Sequence, residues 1–166
     1  MSTDTKSESP NERRSRTHKE IINLIEDRNN VLSQYYNLAK HSDDTNTDRS
    51  ETLDLLEEFC QELVDYMAVG HFEIYRRIEE GNERRDEITE LAKIIMPRIN
   101  GTTQIAIAFN DIYDNTQKIS DDTIAQLPRY LAKLGEELAT RIELEDQFIN
   151  TLLSETEKPK LTAVCA

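Results

Sequence analysis

Apolar positions recur three and four residues apart along most of the chain, the spacing that places side chains on one face of a helix. Ile21, Leu24, Ile25, Leu32, Tyr35 and Leu38 mark a first helix. Thr17 and Glu20 form a capping-box pattern, so this helix should open there and end near His41, before the polar loop HSDDTNTDRS. A second begins around residues 47–50. Its inward seam is Leu53, Leu56, Cys60, Leu63, Met67, Gly70 and Ile74, and it should run to about Glu80 and stop at Gly81-Asn82. A third spans about Arg84 to Asp114 on Ile88, Leu91, Ile95, Ile99, Ile105, Phe109 and Ile112. Pro97 lies inside it, lacks an N–H and crowds the preceding turn, so a kink is expected. After the break DNTQKISDD, a fourth helix opens near Asp121, with Leu127, Leu131, Leu134, Leu138, Ile142, Ile149 and Leu152 as its seam. Pro128 should kink it or split off a short first turn. Residues 1–16 read as a disordered arm with the basic cluster Arg13, Arg14 and Arg16, and residues 157–166, with Pro159, as a flexible tail. The pattern predicts an all-α fold over 17–156, an antiparallel four-helix bundle with long, partly kinked helices.

Composition narrows this further. At 166 residues the chain is the size of one domain, and four Gly and four Pro argue against a many-turned β architecture. Uncharged runs fall short of the roughly 20 apolar residues that span a bilayer, so no membrane partner is expected. The polar start MSTDTKSESPNERRSRT is not a secretory signal, which points to a cytoplasmic protein. Cys60 and Cys165 are then expected as thiols, because a tail cysteine would have to reach a core one to pair. The 33 acidic residues against 20 basic leave a net charge of −13. Phosphate repels such a surface, so nucleic acid is not an expected direct ligand, whereas a basic protein is attracted.

One stretch departs from the amphipathic pattern. In QELVDYMAVGHFEIYRRIEEG, residues 61–81, apolar or small side chains fill nearly every position from Leu63 to Phe72, with Asp65 and His71 among them. Metal chemistry does not fit. No histidine has Glu three residues before it, and His18, His41 and His71 are scattered. Nucleophilic catalysis does not fit either. Cys60 and His71 are about three helical turns apart, and the chain has no Gly-rich phosphate loop and no Gly-x-Ser-x-Gly elbow. No enzyme activity, cofactor or metal is expected. Glu145 falls on the inner seam of the fourth helix, between Ile142 and Ile149, where a carboxylate needs donors. His71, Arg141 and a tyrosine are candidates for a structural polar network with it. On the second helix Asp65, Val69, Phe72 and Arg76 form a stripe offset from the Leu63–Met67–Gly70–Ile74 seam, flanked by Glu62 and Glu73. That second stripe packs on a neighbouring helix or forms an exposed apolar patch with an acidic anchor, and the pattern leaves both open.

FCQELVDYMAVGHFEIY at 59–75 resembles the signature region of the Rsd/AlgQ family, bacterial regulators of sigma D. YYNLA at 35–39 and LGEELATRIELED at 134–146 are similar to the family's first and last helices. LAKIIMPRI at 91–99 and AFNDIYDN at 108–115 look closest to the AlgQ branch. The similarity covers most of the chain, but not the arm 1–16 or the loop 41–50. The resemblance implies an all-helical anti-sigma factor that binds region 4 of the primary sigma factor, a basic helix-turn-helix domain. Covering that domain would block both promoter −35 DNA and docking on core RNA polymerase. Asp65 matches the family aspartate of the Leu-Val-Asp-Tyr stretch that faces sigma. Around it, helical geometry adds Glu62, Val69, Phe72, Glu73 and Arg76 as candidate sigma-binding residues. The alternative is a helical scaffold for another regulatory protein, a phosphocarrier or an alarmone enzyme.

Overall fold

The computed structural model describes residues 9–44, 48–70, 75–76 and 86–161, with only the backbone course from 154 onward. Every regular element among these residues is helical: α1 (Pro10–Asp43), α2 (Arg49–Val69), α3 (Asp86–Tyr113), α4 (Asp121–Ala125) and α5 (Leu127–Leu161). The all-α expectation holds. Residues 1–8, the loop centre 45–47, the stretches 71–74 and 77–85 and the end 162–166 lie outside the described residues. With them go Ile74, the expected helix end at Gly81-Asn82, and Cys165.

The helix ends follow local chemistry. α1 begins at Pro10 rather than at Thr17, so residues 10–16, expected as part of an arm, are helical. Ser9 supplies the reason. Its hydroxyl accepts from the Glu12 N–H at 3.2 Å, and the Glu12 carboxylate accepts from the Ser9 N–H at 2.9 Å. This is a complete capping box with proline at the first helical position, where no N–H is missed. Thr17 and Glu20 have the same pattern but lie a turn or more inside. α2 is capped by Asp48, whose carboxylate accepts from the Ser50 N–H at 3.1 Å. Beyond Val69, Gly70 and Tyr75 lie in wider π-type turns.

α3 passes through Pro97 as one element. Of the two expectations at Pro128, a separate short helix is the one realised. The Gln126 carbonyl accepts from Arg129 N at 3.1 Å and Tyr130 N at 3.2 Å, which places Pro128 in the N–H-free first turn of α5. α5 reaches Leu161, so residues 157–161, expected as tail, are helical.

α1 packs on α2 and α5, α3 packs on the same two helices, and α4 lies against α5. Leu24, Val31 and Leu38 meet Leu56, Phe59, Leu63 and Tyr66, and the core continues through Ile88, Ile99, Phe109 and Tyr113 to Leu127, Leu134, Leu138 and Phe148. Phe59 sits between Tyr35 and Phe109, with ring centroids 6.1 and 5.7 Å away. Two seam positions are corrected. Leu32 and Ile112 are exposed, and the neighbouring Val31 and Tyr113 point inward instead. One residue along a helix turns the side chain by about 100°, so adjacent apolar residues compete for a single inward slot. The Tyr113 hydroxyl finds an acceptor in the Thr123 carbonyl at 2.9 Å. Cys60 is a free, buried thiol whose pKa burial pushes up to about 12, with the Asp114 charge adding to the shift. It therefore remains a neutral core side chain.

α1 and α5 approach closely where Tyr35 lies over Gly135. The Tyr35 hydroxyl donates to the Leu131 carbonyl at 2.7 Å, and a Cβ on Gly135 would stand 2.9 Å from Tyr35 Cζ and closer still to its hydroxyl. Gly135→Val should therefore destabilise the fold by about 1–3 kcal/mol through overpacking, measured by urea unfolding. Unchanged stability would mean that the Tyr35 ring moves aside without cost.

Candidate functional site

The outward side of α2 is its most charged surface. Between Ser50 and Val69 the helix carries Glu51, Asp54, Glu57, Glu58, Glu62 and Asp65 and no Lys or Arg. Asp54, Glu57, Glu58 and Asp65 are exposed and Glu62 is half-buried. Of the six, Glu51 meets His41 Nε2 at 3.3 Å. The other five have no lysine or arginine in ion-pair range among the described residues, and Asp65 accepts only from the Gln61 amide at 3.3 Å. With Gln34 of α1, most of them line a shallow open cleft. The α1 rim adds Asp27. Partial burial, with Asp65 and then Glu26 nearby, pushes its carboxyl above the ordinary range.

Directly beneath this rim lies a buried polar network. Tyr66, next to Asp65 in the chain, turns inward and donates its hydroxyl to Glu145 Oε1 of α5. Tyr75 donates to Glu145 Oε2 at 3.1 Å. Arg28, next to Asp27, lies 3.9 Å from Glu145 and 2.8 Å from Asp146. Arg141, one turn before Glu145, is 1% exposed. Its Nη1 donates to Thr103 Oγ1 at 2.7 Å and Thr102 Oγ1 at 3.1 Å, while its guanidinium stacks 5.3 and 5.7 Å from the Tyr66 and Tyr75 ring centroids. Arg141 Nε is 3.4 Å from Glu145 Oε2, within ion-pair range but without hydrogen-bond alignment. Gly70 makes room for this. A Cβ there would stand 3.1 Å from Tyr75 and 3.2 Å from Arg141. Burial raises the Glu145 pKa and outweighs the opposing pull of Arg141, the two tyrosines and Arg28. Burial, together with Glu145, also holds both tyrosines protonated and so keeps them as donors.

The structure separates the two α2 stripes. Leu63, Met67 and Gly70 are buried, Asp65 and Arg76 are exposed, and Val69 is half-buried. Phe72, Glu73 and His71 lie outside the described residues. The expected pair Arg141 and Glu145 is brought together, and Tyr66 and Tyr75 are tyrosine donors to it. Sequence reading missed Arg28, Asp27, Thr102 and Thr103. Each reaches its partner across helices, so nothing in the local spacing marks it. Among the described residues no group of three or more His, Cys, Asp or Glu is placed to hold a metal ion, and no helix is long and apolar enough to cross a membrane.

Residues 4–153 match the family model described as Regulator of RNA polymerase sigma(70) subunit, Rsd/AlgQ. The chain belongs to the Rsd/AlgQ family. The resemblance read from residues 35–39, 59–75 and 134–146 is therefore correct. Among relatives, the Regulator of sigma D from Yersinia pseudotuberculosis is 41% identical over 95 residues, 57% of this chain and 56% of its own. The Regulator of sigma D from Shigella boydii is 32% identical over 139 residues, 82% and 85% of the two chains. This Rsd/AlgQ chain thus spans a little over half the length of the Yersinia relative. No solved structure matches it.

Within this Rsd/AlgQ chain the network makes two measurable demands. Glu145→Ala strands Arg141, which has no other carboxylate in ion-pair range among the described residues, and should cost about 3–5 kcal/mol. The pH dependence has a definite sign. A folded-state pKa above the ordinary 4.5 means that the Glu145 contribution is fully present below that value and is lost as pH rises through the higher folded one. Glu145→Gln removes this titration. The urea-derived stability of the native chain minus that of Glu145→Gln should therefore fall with rising pH across this window. A difference that rises would mean that the arginines, not burial, dominate at Glu145.

Proposed function

We propose that this Rsd/AlgQ chain is an anti-sigma factor that captures region 4 of the primary sigma factor on the outward face of α2. In this reading Asp65 is the central anchor. Glu62, Val69 and Arg76 surround it, and Phe72 and Glu73 extend the stripe by sequence position. Region 4 is a cationic helix-turn-helix, and its arginines and lysines meet the carboxylates of α2 as the half-buried apolar positions lose water. The occupied domain can then neither read −35 DNA nor dock on core RNA polymerase. The observation that carries the proposal is the row of carboxylates on α2, centred on exposed Asp65, that lacks cationic partners among the described residues.

The scaffold fits this role. The four long helices form an antiparallel bundle, with residues 17–156 as the binding domain and the flanking residues dispensable. The chain acts by occupying a surface in the cytoplasm, without catalysis. Its net charge of −13 steers a cationic partner and repels the DNA that competes for it.

Two experiments with purified chain and region 4 of its primary sigma factor test this. Asp65→Ala should weaken binding by about 30- to several-thousand-fold, equivalent to roughly 2–5 kcal/mol for truncating one partner of a desolvated pair, and should leave melting unchanged. Leu63→Ala, on the buried stripe, should instead lose about 2–5 kcal/mol of folding stability. Full affinity in Asp65→Ala would move the binding face elsewhere. In stopped flow, the association rate should fall as salt rises, because attraction between the acidic face and a basic domain is screened over about 10 Å at 0.1 M. A rate flat in salt would refute steering.

A further inference from the structure

The acidic face has a second rim, on α1. Arg28 of α1 and Tyr66 of α2 reach the same atom, Oε1 of Glu145, from neighbouring helices. Their chain neighbours Asp27 and Asp65 are therefore level with each other, turned away from them by about 100°. With Arg28 and Tyr66 inward, Asp27 and Asp65 stand on the two rims of the α1–α2 groove. Asp65 is exposed and Asp27 is half-buried. Partial burial, then the charges of Asp65 and Glu26, all oppose the ionisation of Asp27. No lysine or arginine among the described residues forms an ion pair with it, since Arg28 is turned to Glu145 and Asp146. About two turns further along α1, Gln34 lines the cleft with Glu58 and Glu62 of α2. Its Oε1 is shielded from water and accepts no hydrogen bond. The groove thus presents acceptors that lack donors both at Asp27 and at Gln34. A buried or half-buried acceptor without a donor is costly, and a donor-rich cationic group removes that cost.

We propose that Asp27 is a second anchor for the partner, and that Asp27 and Asp65 together hold one arginine of region 4 between α1 and α2. This rests on the sigma reading and adds α1 to the binding face. A guanidinium offers five N–H donors in a rigid plane, enough to bond two carboxylates at once. The ammonium of lysine is a compact point charge and does not span two rims in that way. The pair therefore selects arginine. Val69, one turn beyond Asp65 and half-buried, supports the aliphatic stem of the arginine. Beneath the groove the Glu145 network joins α1 to α2, so the two carboxylates stand at a set spacing before the partner arrives. Little ordering is then required on binding.

Calorimetric titration of the full chain with region 4 of its primary sigma factor tests this. Asp27→Asn should weaken binding by about tenfold or more. It should not lower melting, because it removes only repulsion from Asp65 and Glu26. Asp27→Asn and Asp65→Ala combined should lose much less than the product of the two separate losses, since both residues hold one guanidinium. Among single arginine-to-lysine variants of region 4, one should bind the native chain about tenfold more weakly than native region 4 does. Asp27→Asn should not distinguish that variant from native region 4. Native affinity in Asp27→Asn, with Asp65→Ala impaired, would overturn the shared anchor and leave the sigma reading standing. Losses that multiply in the double variant would also overturn it. No binding of region 4 by the native chain would overturn both.

Discussion

The carboxylate of Glu145 is the point on which three helices of this protein are registered. It is fully buried on α5, and it stays there because α2 supplies the Tyr66 hydroxyl, Tyr75 supplies another, Arg28 reaches in from α1 and Arg141 lies one turn away on α5. A buried carboxylate is costly unless its lone pairs are occupied, so sliding any of these helices by one residue would leave donors and acceptors unmatched. Apolar packing tolerates such shifts more readily, since one leucine replaces another at little cost. The polar network is therefore what makes one register stand out. Arg141 extends that control to α3 through Thr102 and Thr103.

The same arrangement places the acidic face. Consecutive residues point to different sides of a helix, so Tyr66 inside fixes Asp65 outside, and Arg28 inside fixes Asp27 on the neighbouring rim. A rigid donor–acceptor set beneath the surface keeps the carboxylates of α1 and α2 at a set separation, close enough that Asp65 helps raise the Asp27 pKa. Mutual repulsion of this kind is unfavourable in the free protein and is relieved when a cation arrives.

Small residues decide where helices come close. Gly70 leaves the space that Tyr75 and Arg141 occupy, and Gly135 leaves the space for Tyr35. Both sites join a glycine on one helix to an aromatic ring from another segment, and one of them opens onto the network. Two of the four prolines act at helix starts instead: Pro10 and Pro128 lie in first turns, where the missing N–H costs nothing, whereas Pro97 and Pro159 lie inside helices.

The sequence by itself determined the all-helical class, the break before α4, the inward seams built on Leu24, Leu56, Leu63, Ile99, Leu134 and Leu138, and the split of α2 into a buried stripe and one carrying Asp65. These rest on local periodicity, which one helix carries alone. It also singled out Glu145 and Arg141, because charge on an apolar seam is visible without knowing the neighbours. It placed the start of α1 too late, since two capping boxes stood in line and only the fold could choose Ser9. It put Leu32 and Ile112 inside, because adjacent apolar residues are indistinguishable until a facing helix selects one. Arg28, Tyr66, Thr102 and Thr103 as the partners of the buried charges, and Asp27 beside Asp65, came only from tertiary structure. Each of those contacts joins residues far apart in the chain, and their pairing depends on how the helices are set against one another.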